Sequence, residues 1–524
     1  MVKLEISYPQ TLDLEIKNQK VKNQKFGNML YRAHPSRAFK GIIMHSNTRL
    51  PQAFIDKMTG ILPKQLKIED FIAVCQRPLR RAIRVNTLKI SVEKFQIRAR
   101  EQGWILTAIP WCPEGFWIEL QEELPPLGNS AEHLGGLCYI QEASSMLPVA
   151  ALFHFFTPST QSIVLDAAAA PGSKTTQIAA KMNNSGLIIG NEFSSSRIKM
   201  LHANIQRCGI KNVALTHFDA RVFGKWLPDT FDAILLDAPC SGEGTIRKDK
   251  YAMSNWSQSS INEIASMQQE LILSAFHALK AGGILIYSTC TLSHEENQNI
   301  CFFLKNKFPE HIEFLDLKNL FTNAEKTRTA EGFLHIWPQV YDSEGFFVAA
   351  IKKTKASTVE PAVKRLGKFP FIRPSRQKEQ ALYDYFSSQF SITNIKGMLY
   401  QRDQEFWLFP DPIKPLIKEL RFSRLGIKIA EEFGNGRKSG FKSTHQFVTC
   451  FGDSTDAHKV ELSAEQAQEF YQGRDIRDVD AKGLKGEVLL SYREQVIGLG
   501  KSLDNRIKNS LPRELIRDNN LFVK

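Results

Sequence analysis

No C-x-x-C pair occurs in the 524 residues, although eight cysteines are scattered at positions 75, 112, 138, 208, 240, 290, 301 and 450. That spacing argues against a structural zinc site and against a disulfide framework. It also removes the zinc-dependent nucleobase deaminases, which need H-x-E with P-C-x-x-C. No apolar run approaches the roughly 20 residues of a membrane span; LPVAALFHFF (147–156) comes nearest and falls far short. No apolar segment with a small-residue cleavage site opens the chain, so a cytoplasmic protein without a membrane partner is expected. A phosphate loop of the form G-x-x-x-x-G-K-[ST] is missing, and so are a G-x-G-x-x-G fingerprint and any repeat of fixed period.

What is present is an ordinary globular composition, 43% hydrophobic and 23% charged, with a net charge of +13. The length implies about two to four domains. The charge is unevenly placed. Residues 1–43 carry a net +5, residues 44–352 are neutral, and residues 353–524 carry +8, nearly all of it before position 443. A basic excess outside the central part fits a nucleic-acid partner held by accessory regions, against the blander reading of a solvated basic face.

Residues 1–43 alternate lysines with short apolar pairs and show no sustained period, so an ill-ordered extension is expected. It is read either as the product of an upstream start codon chosen in error or as a basic arm. Globular text runs from 44 to 155. Residues 156–352 then alternate strand-like and helix-like segments: SIVLDA (162–167), GLIIGNE (186–192), NVALTH (212–217), FDAILLD (231–237) and GGILIYST (282–289), with helical stretches between them. Near-continuous apolar strands in a βαβ rhythm predict a doubly wound, mostly parallel sheet with ligands at its carboxyl rim. The stretch 354–378 is rich in Pro and Lys and reads as a linker into a basic segment, with a last unit from about 430 to 524. A chain lacking 364–524 is therefore expected to keep cofactor binding and lose RNA affinity.

The first predicted strand leads into DAAAAPGSKTT (166–176), small residues and a Pro-Gly turn before a helix. Such a loop admits a ligand close to the backbone. Glu192 ends the second strand, where a carboxylate accepts from ribose hydroxyls, and Asp219 follows the third, placed to accept from an adenine amino group. Together they point to an adenosyl ligand without a polyphosphate. Each acid alone is more often a strand-end or cap residue.

DAPCSGEG (237–244) puts Cys240 in a turn beyond the fourth strand, and YSTCTL (287–292) puts Cys290 just beyond the fifth. Fourth and fifth strands of such a sheet are commonly neighbours, so both thiols can reach one pocket. A thiolate adding to C6 of cytosine turns C5 into a carbon nucleophile able to attack a methyl sulfonium. An acid such as Asp237 can bond or protonate N3, and a second thiol can assist release.

DAAAAPGSKT, DAPCSGEG and YSTCTL, with RVNTLK and YIQEASSM upstream, resemble the Nol1/Nop2/Sun family of RNA cytosine-C5 methyltransferases over about residues 76–352. QRPLRRAIRVNTLKIS, IPWCPEGFWIE, LHANIQRCGI and FSRLGIK are further similar to its bacterial 16S rRNA branch. The resemblance implies a Rossmann-like class I methyltransferase domain over 156–352. It adds an N-terminal α+β subdomain that captures RNA (44–155), a linker and basic domain (353–430) and a PUA-like RNA-binding domain (431–524). It makes Cys290 the nucleophile and Cys240 the group that aids product release. It places S-adenosyl-L-methionine against Ala168, Ala169, Ala170, Pro171, Gly172, Ser173, Lys174, Glu192, Asp219 and Asp237. The implied substrate is cytosine 1407 of 16S rRNA, free or in the small ribosomal subunit, with the enzyme a monomer. The same chemistry on tRNA and a non-catalytic role in ribosome assembly are the competing readings.

Overall fold

Each of the five apolar runs forms a strand in the computed structural model, which describes residues 50–517 apart from 121–125, 250, 255, 363, 365, 435–438, 480–482 and 504–505. The basic extension expected at 1–43 lies outside the described residues. The strands are β1 (Ile163–Asp166), β2 (Leu187–Asn191), β3 (Val213–Thr216), β4 (Phe231–Asp237) and β5 (Leu279–Thr289). They run parallel in the order β5-β4-β1-β2-β3. Three later strands, β6 (Ile312–Leu315), β7 (Leu334–Ile336) and β8 (Phe346–Lys353), extend the β5 side in antiparallel sense. Side chains of alternate residues feed two apolar layers, one on each face, which explains why the runs lack polar interruption.

The chain leaves β1 toward β2 and β3 and later returns to β4 and β5 on the other side. The order therefore reverses between β1 and β4, and the crevice outside their carboxyl ends is where such sheets take ligands. Helix α1 (Ser173–Lys181) starts directly after β1, behind Gly172, whose φ of 109° only glycine adopts without strain. Helix α2 (Ser195–Arg207) follows β2, and α3 (Gln258–Ala278) connects β4 to β5.

Ahead of this sheet stands a four-stranded antiparallel one, ordered Ile105–Ile109, Cys112–Glu119, Ala82–Val85 and Cys138–Ile140. Helices Gln52–Ile61 and Ile68–Cys75 pack Phe54 and Phe71 against Trp256, Leu292 and Trp337, beside the loop that carries Cys290. After residue 353 come helix Arg376–Phe390, a second antiparallel four-stranded sheet from Met398 to Ser443, and a five-stranded sheet from Lys459 to Asn509.

The stretch read as a linker is not free. Phe371 packs on Trp407 and Phe409 at ring distances of 5.7 and 5.1 Å. Strand β9 (Arg424–Leu425) pairs with the β3 edge, and Trp407, Phe409, Ile413, Leu416, Leu420 and Leu425 share one apolar layer with Leu187, Ile189 and Phe231. The C-terminal part closes a face of the central sheet. Removing 364–524 would expose that layer, so the deletion is expected to destabilise the central sheet as well as to weaken RNA binding.

Candidate active site

Every residue singled out above lies on the carboxyl rim of β1 to β5. Ala168 to Gly172 form the turn after β1, and backbone bonds hold it: Ala169 N–H donates to Asn191 O at 2.7 Å and Ala170 N–H to Glu192 Oε2 at 3.2 Å. From α2, Asn204 donates to the Pro171 carbonyl at 3.0 Å. Ala169, Ala170 and Gly172 are buried and Pro171 is exposed. The turn carries only alanine, proline and glycine. Ser173 opens α1, and its carbonyl accepts from Arg84 at 2.7 Å. Lys174 reaches back to Asp237 at 2.8 Å and donates to Ser145 Oγ at 2.8 Å.

Glu192 is buried, and its second oxygen accepts from Ser194 N–H at 2.8 Å. Asp219 stands on the same rim, but both its oxygens accept from Arg221, at 3.0 and 2.6 Å. An adenine amino group would have to share them. Asp237 receives Ser288 Oγ at 2.7 Å besides Lys174 and remains half-exposed.

The neighbouring strands β4 and β5 bring the two thiols together: Cys240 Sγ and Cys290 Sγ are 3.1 Å apart, and both residues are half-exposed. The contact with Cys290, then burial, hold the Cys240 thiol well above the usual range, and either sulfur can be the donor across the contact. Cys75, Cys112, Cys138, Cys208 and Cys301 are buried. Burial pushes the thiols of Cys75 and Cys112 up to about 12, which leaves them inert at neutral pH.

Three further acids belong to the site: Asp166, the rim acid that ends the first predicted strand, and Glu243 and Glu296, which were not singled out in advance. Asp166, at the end of β1, is fully buried; one carboxylate oxygen accepts from Thr175 at 2.6 Å and the other has no hydrogen-bond partner among the described residues. Glu243 and Glu296 are also fully buried and bind the cysteine loops from behind. Only their place beside the two motifs signalled them. Acids in SGEG and SHEEN read as surface residues until the donors around them are known.

Four family models match in chain order. They are the N-terminal domain of 16S rRNA methyltransferase RsmF over residues 50–143, 16S rRNA methyltransferase RsmB/F over 153–352, the pre-PUA domain of ribosomal RNA small subunit methyltransferase F over 371–451, and the methyltransferase RsmF PUA domain over 457–517. A ribosomal RNA small subunit methyltransferase F from Psychromonas ingrahamii is 93% identical over 481 residues, spanning 92% of this chain and 100% of that one. One of the same name from Vibrio parahaemolyticus is 55% identical over 484 residues, 91% of this chain and 100% of that one. The chain belongs to the RsmF family. Its members are S-adenosylmethionine-dependent RNA cytosine-C5 methyltransferases. The crystal structure of NSun6 from Pyrococcus horikoshii with SFG shares the fold, with a TM-score of 0.51 at 24% identity over 58% of this chain and 98% of that one.

The RsmF-family cofactor is S-adenosylmethionine, and the residues present fit it. The turn after β1 carries only alanine, proline and glycine, and the partnerless buried oxygen of Asp166 is an acceptor that an ammonium group can use. Among the described residues no cluster of His, Cys, Asp or Glu could hold a metal ion, and no helix is long and apolar enough to cross a membrane.

Proposed function

We propose that this chain methylates C5 of cytosine 1407 in the decoding region of 16S rRNA through a covalent bond between Cys290 and C6. The 3.1 Å approach of Cys240 to Cys290 on adjacent strands carries the reading. The names of the close relatives and the matching PUA domain support rRNA as substrate. A base inside a duplex cannot reach a rim crevice, so the cytosine enters unpaired or flipped.

Cys290 attacks as the thiolate. Its sulfur bonds to C6, the ring electrons move toward N3, and N3 takes a proton or hydrogen bond from Asp237 in its protonated form, a carboxyl that Lys174 and Ser288 hold in place. Negative charge reaching C5 makes that carbon the nucleophile. S-adenosylmethionine, when bound, supplies the electrophilic methyl group; the residues we assign to hold it are Ala168 to Lys174, Glu192, Asp219 and Asp237, with Asp166 added. Water takes the C5 proton, N3 returns its own to Asp237, the C5–H electrons restore the C5=C6 double bond, and the C6–S electrons leave with sulfur. The departing thiolate of Cys290 receives a hydrogen bond from the Cys240 thiol, whose retained proton suits it to that task.

Denaturing gels of the enzyme mixed with 16S rRNA fragments test the assignment. Cys290→Ala should abolish methyl transfer and covalent trapping on 5-fluorocytosine RNA, whereas Cys240→Ala should accumulate a protein–RNA adduct on unmodified RNA. An adduct with Cys290→Ala and none with Cys240→Ala would reverse the two roles.

A further inference from the structure

Ser241 follows Cys240 and Thr291 follows Cys290, and their hydroxyl oxygens lie 2.9 Å apart. On one side Ser241 Oγ is 2.5 Å from Glu296 Oε1; on the other Thr291 Oγ1 is 2.8 Å from Glu243 Oε2. Both carboxyls are fully buried. The line Glu296–Ser241–Thr291–Glu243 thus has three oxygen–oxygen contacts of 2.9 Å or less, with Thr291 Oγ1 also 3.2 Å from Glu296 Oε1, and each of the three short ones needs a hydrogen between its atoms. The two hydroxyls supply two. Glu243 is an unsuitable source for the third, because it already accepts from Ser293 Oγ at 2.7 Å, Trp256 Nε1 at 2.7 Å and Leu292 N–H at 3.3 Å. Glu296 Oε2 likewise accepts from Ser241 N–H at 2.9 Å and Gln268 Nε2 at 3.0 Å. The missing hydrogen falls on Glu296 Oε1.

We propose that Glu296 is a positioning residue for methyl transfer, held as a neutral carboxylic acid whose hydrogen closes the chain through Ser241 and Thr291 to Glu243 and so sets Cys240 against Cys290. The proposal rests on the reading of these two thiols as the catalytic pair. Burial, reinforced by the Glu243 charge, pushes the Glu296 carboxyl up to about 7. No cation forms an ion pair with it among the described residues; Lys57 pairs with the neighbouring Glu295 at 3.1 Å. The titratable groups facing it are Glu243, Cys240 and Tyr287, whose hydroxyl donates to the Glu296 carbonyl at 2.6 Å. Ionising Glu296 would turn the Ser241 hydroxyl round to donate to it, leave the Ser241–Thr291 contact without a hydrogen, and place a negative charge beside the thiols, where it opposes a thiolate.

The test compares kcat and KM of the wild type, Glu296→Gln and Glu296→Ala from pH 6 to 8.5 on one RNA, with S-adenosylmethionine affinity from calorimetry and Cys290→Ala alongside. The amide keeps a hydrogen toward Ser241 at every pH. The ratio of the Gln variant's kcat to that of the wild type should be near unity at pH 6 and rise through pH 7, toward about tenfold one unit above the midpoint. KM for RNA should stay the same. Glu296→Ala should lose about 100-fold in kcat, in the range of a misplaced catalytic group, with cofactor affinity intact. A ratio that is flat or falls with pH overturns the proposal, as does a Gln variant as inactive as the Ala variant. If Glu296→Ala does not fold, the ratio alone decides. Failure of the ratio while Cys290→Ala is dead sinks only the relay; methyl transfer by Cys290→Ala sinks the catalytic reading and the relay with it.

Discussion

The turn after β1 and the loops after β4 and β5 stand side by side on one sheet rim and are held by opposite means. The first is fixed through its backbone: amides of Ala169 and Ala170 and carbonyls of Pro171 and Ser173 take the bonds, and the side chains are small. The cysteine loops are fixed through side chains, by two buried carboxyl groups that collect hydroxyl, indole and amide donors. A loop that must let a ligand lie on its backbone has no room for anchoring side chains. A loop that must aim a reactive sulfur needs an anchor behind it, out of reach of the substrate.

If that contrast holds, damage to the two kinds of loop should separate cleanly. Gly172→Val puts a branched side chain at φ 109°, where even a Cβ would lie 3.0 Å from Leu201 Cδ1. Backbone strain of roughly 1–3 kcal/mol should cost about 100-fold in S-adenosylmethionine affinity, read by calorimetry, while the thiol pair stays intact to alkylation. Glu243→Ala should do the reverse. It strands the donors of Thr291, Ser293, Trp256 and Leu292, and unfolding free energy should fall by about 3–5 kcal/mol. Methyl transfer should drop while cofactor affinity of the folded fraction is kept. Equal losses of cofactor affinity in both variants would show that the rim is one cooperative unit.

The same contrast separates what could be read in the sequence from what could not. The strands, the turn of small residues and the two cysteines were legible, because apolar runs, a Pro-Gly turn and thiols beyond strand ends have meaning locally. Glu243 and Glu296 were not. Their donors Thr291 and Ser241 come from 48 and 55 residues away, so nothing nearby distinguishes them from solvated acids. Asp219 was legible as a rim acid, but its engagement by Arg221 was not. Strand β9 has only two residues, Arg424 and Leu425, too few to show alternation, and its absence from the reading made residues 354–378 look like a free linker. Backbone-built sites announce themselves through composition, whereas side-chain scaffolds appear only once the fold has gathered them.

Arg84 qualifies the comparison, since its side chain braces the turn after β1 from the N-terminal sheet, as Tyr139 also does by donating to Pro171 O at 3.3 Å. Fully buried, Arg84 donates to Ser173 O at 2.7 Å, Gln141 Oε1 at 2.9 Å and Thr176 Oγ1 at 2.9 Å. Arg84→Met keeps much of the volume and removes the donors. It should lower unfolding free energy by about 2–3 kcal/mol in urea titration and weaken cofactor binding by less than Gly172→Val does. An effect on methyl transfer larger than that on cofactor binding would assign Arg84 to the cysteine side of the rim.

The smallest effect expected is a dependence of stability on pH that both kinds of loop share. Burial raises Asp166 to about 7, Glu296 to about 7 and Glu344 to about 8. In the unfolded chain these acids titrate near 4, so from there up to pH 7 or 8 the folded protein holds protons that the unfolded one has released. Stability must then fall as pH rises through that window and level off above it. Buried histidines act oppositely: His202 and His445 are lowered to about 4 and His335 to about 3. They make the unfolded state the better proton acceptor below about 6.5, so stability falls there as pH drops. Between about pH 4 and 6.5 the three acids and the three histidines offset one another, so the net decline appears above pH 6.5. Between pH 6.5 and 8 each of the three acids should contribute a loss of about 1 kcal/mol, visible as a declining urea midpoint. Asp166→Asn, on the cofactor side, and Glu296→Gln, on the cysteine side, should each flatten that decline by one share. A decline unchanged in both variants would mean that neither carboxyl is protonated in the folded protein, and the scaffolding of the two loops would then have to be read with charged acids throughout.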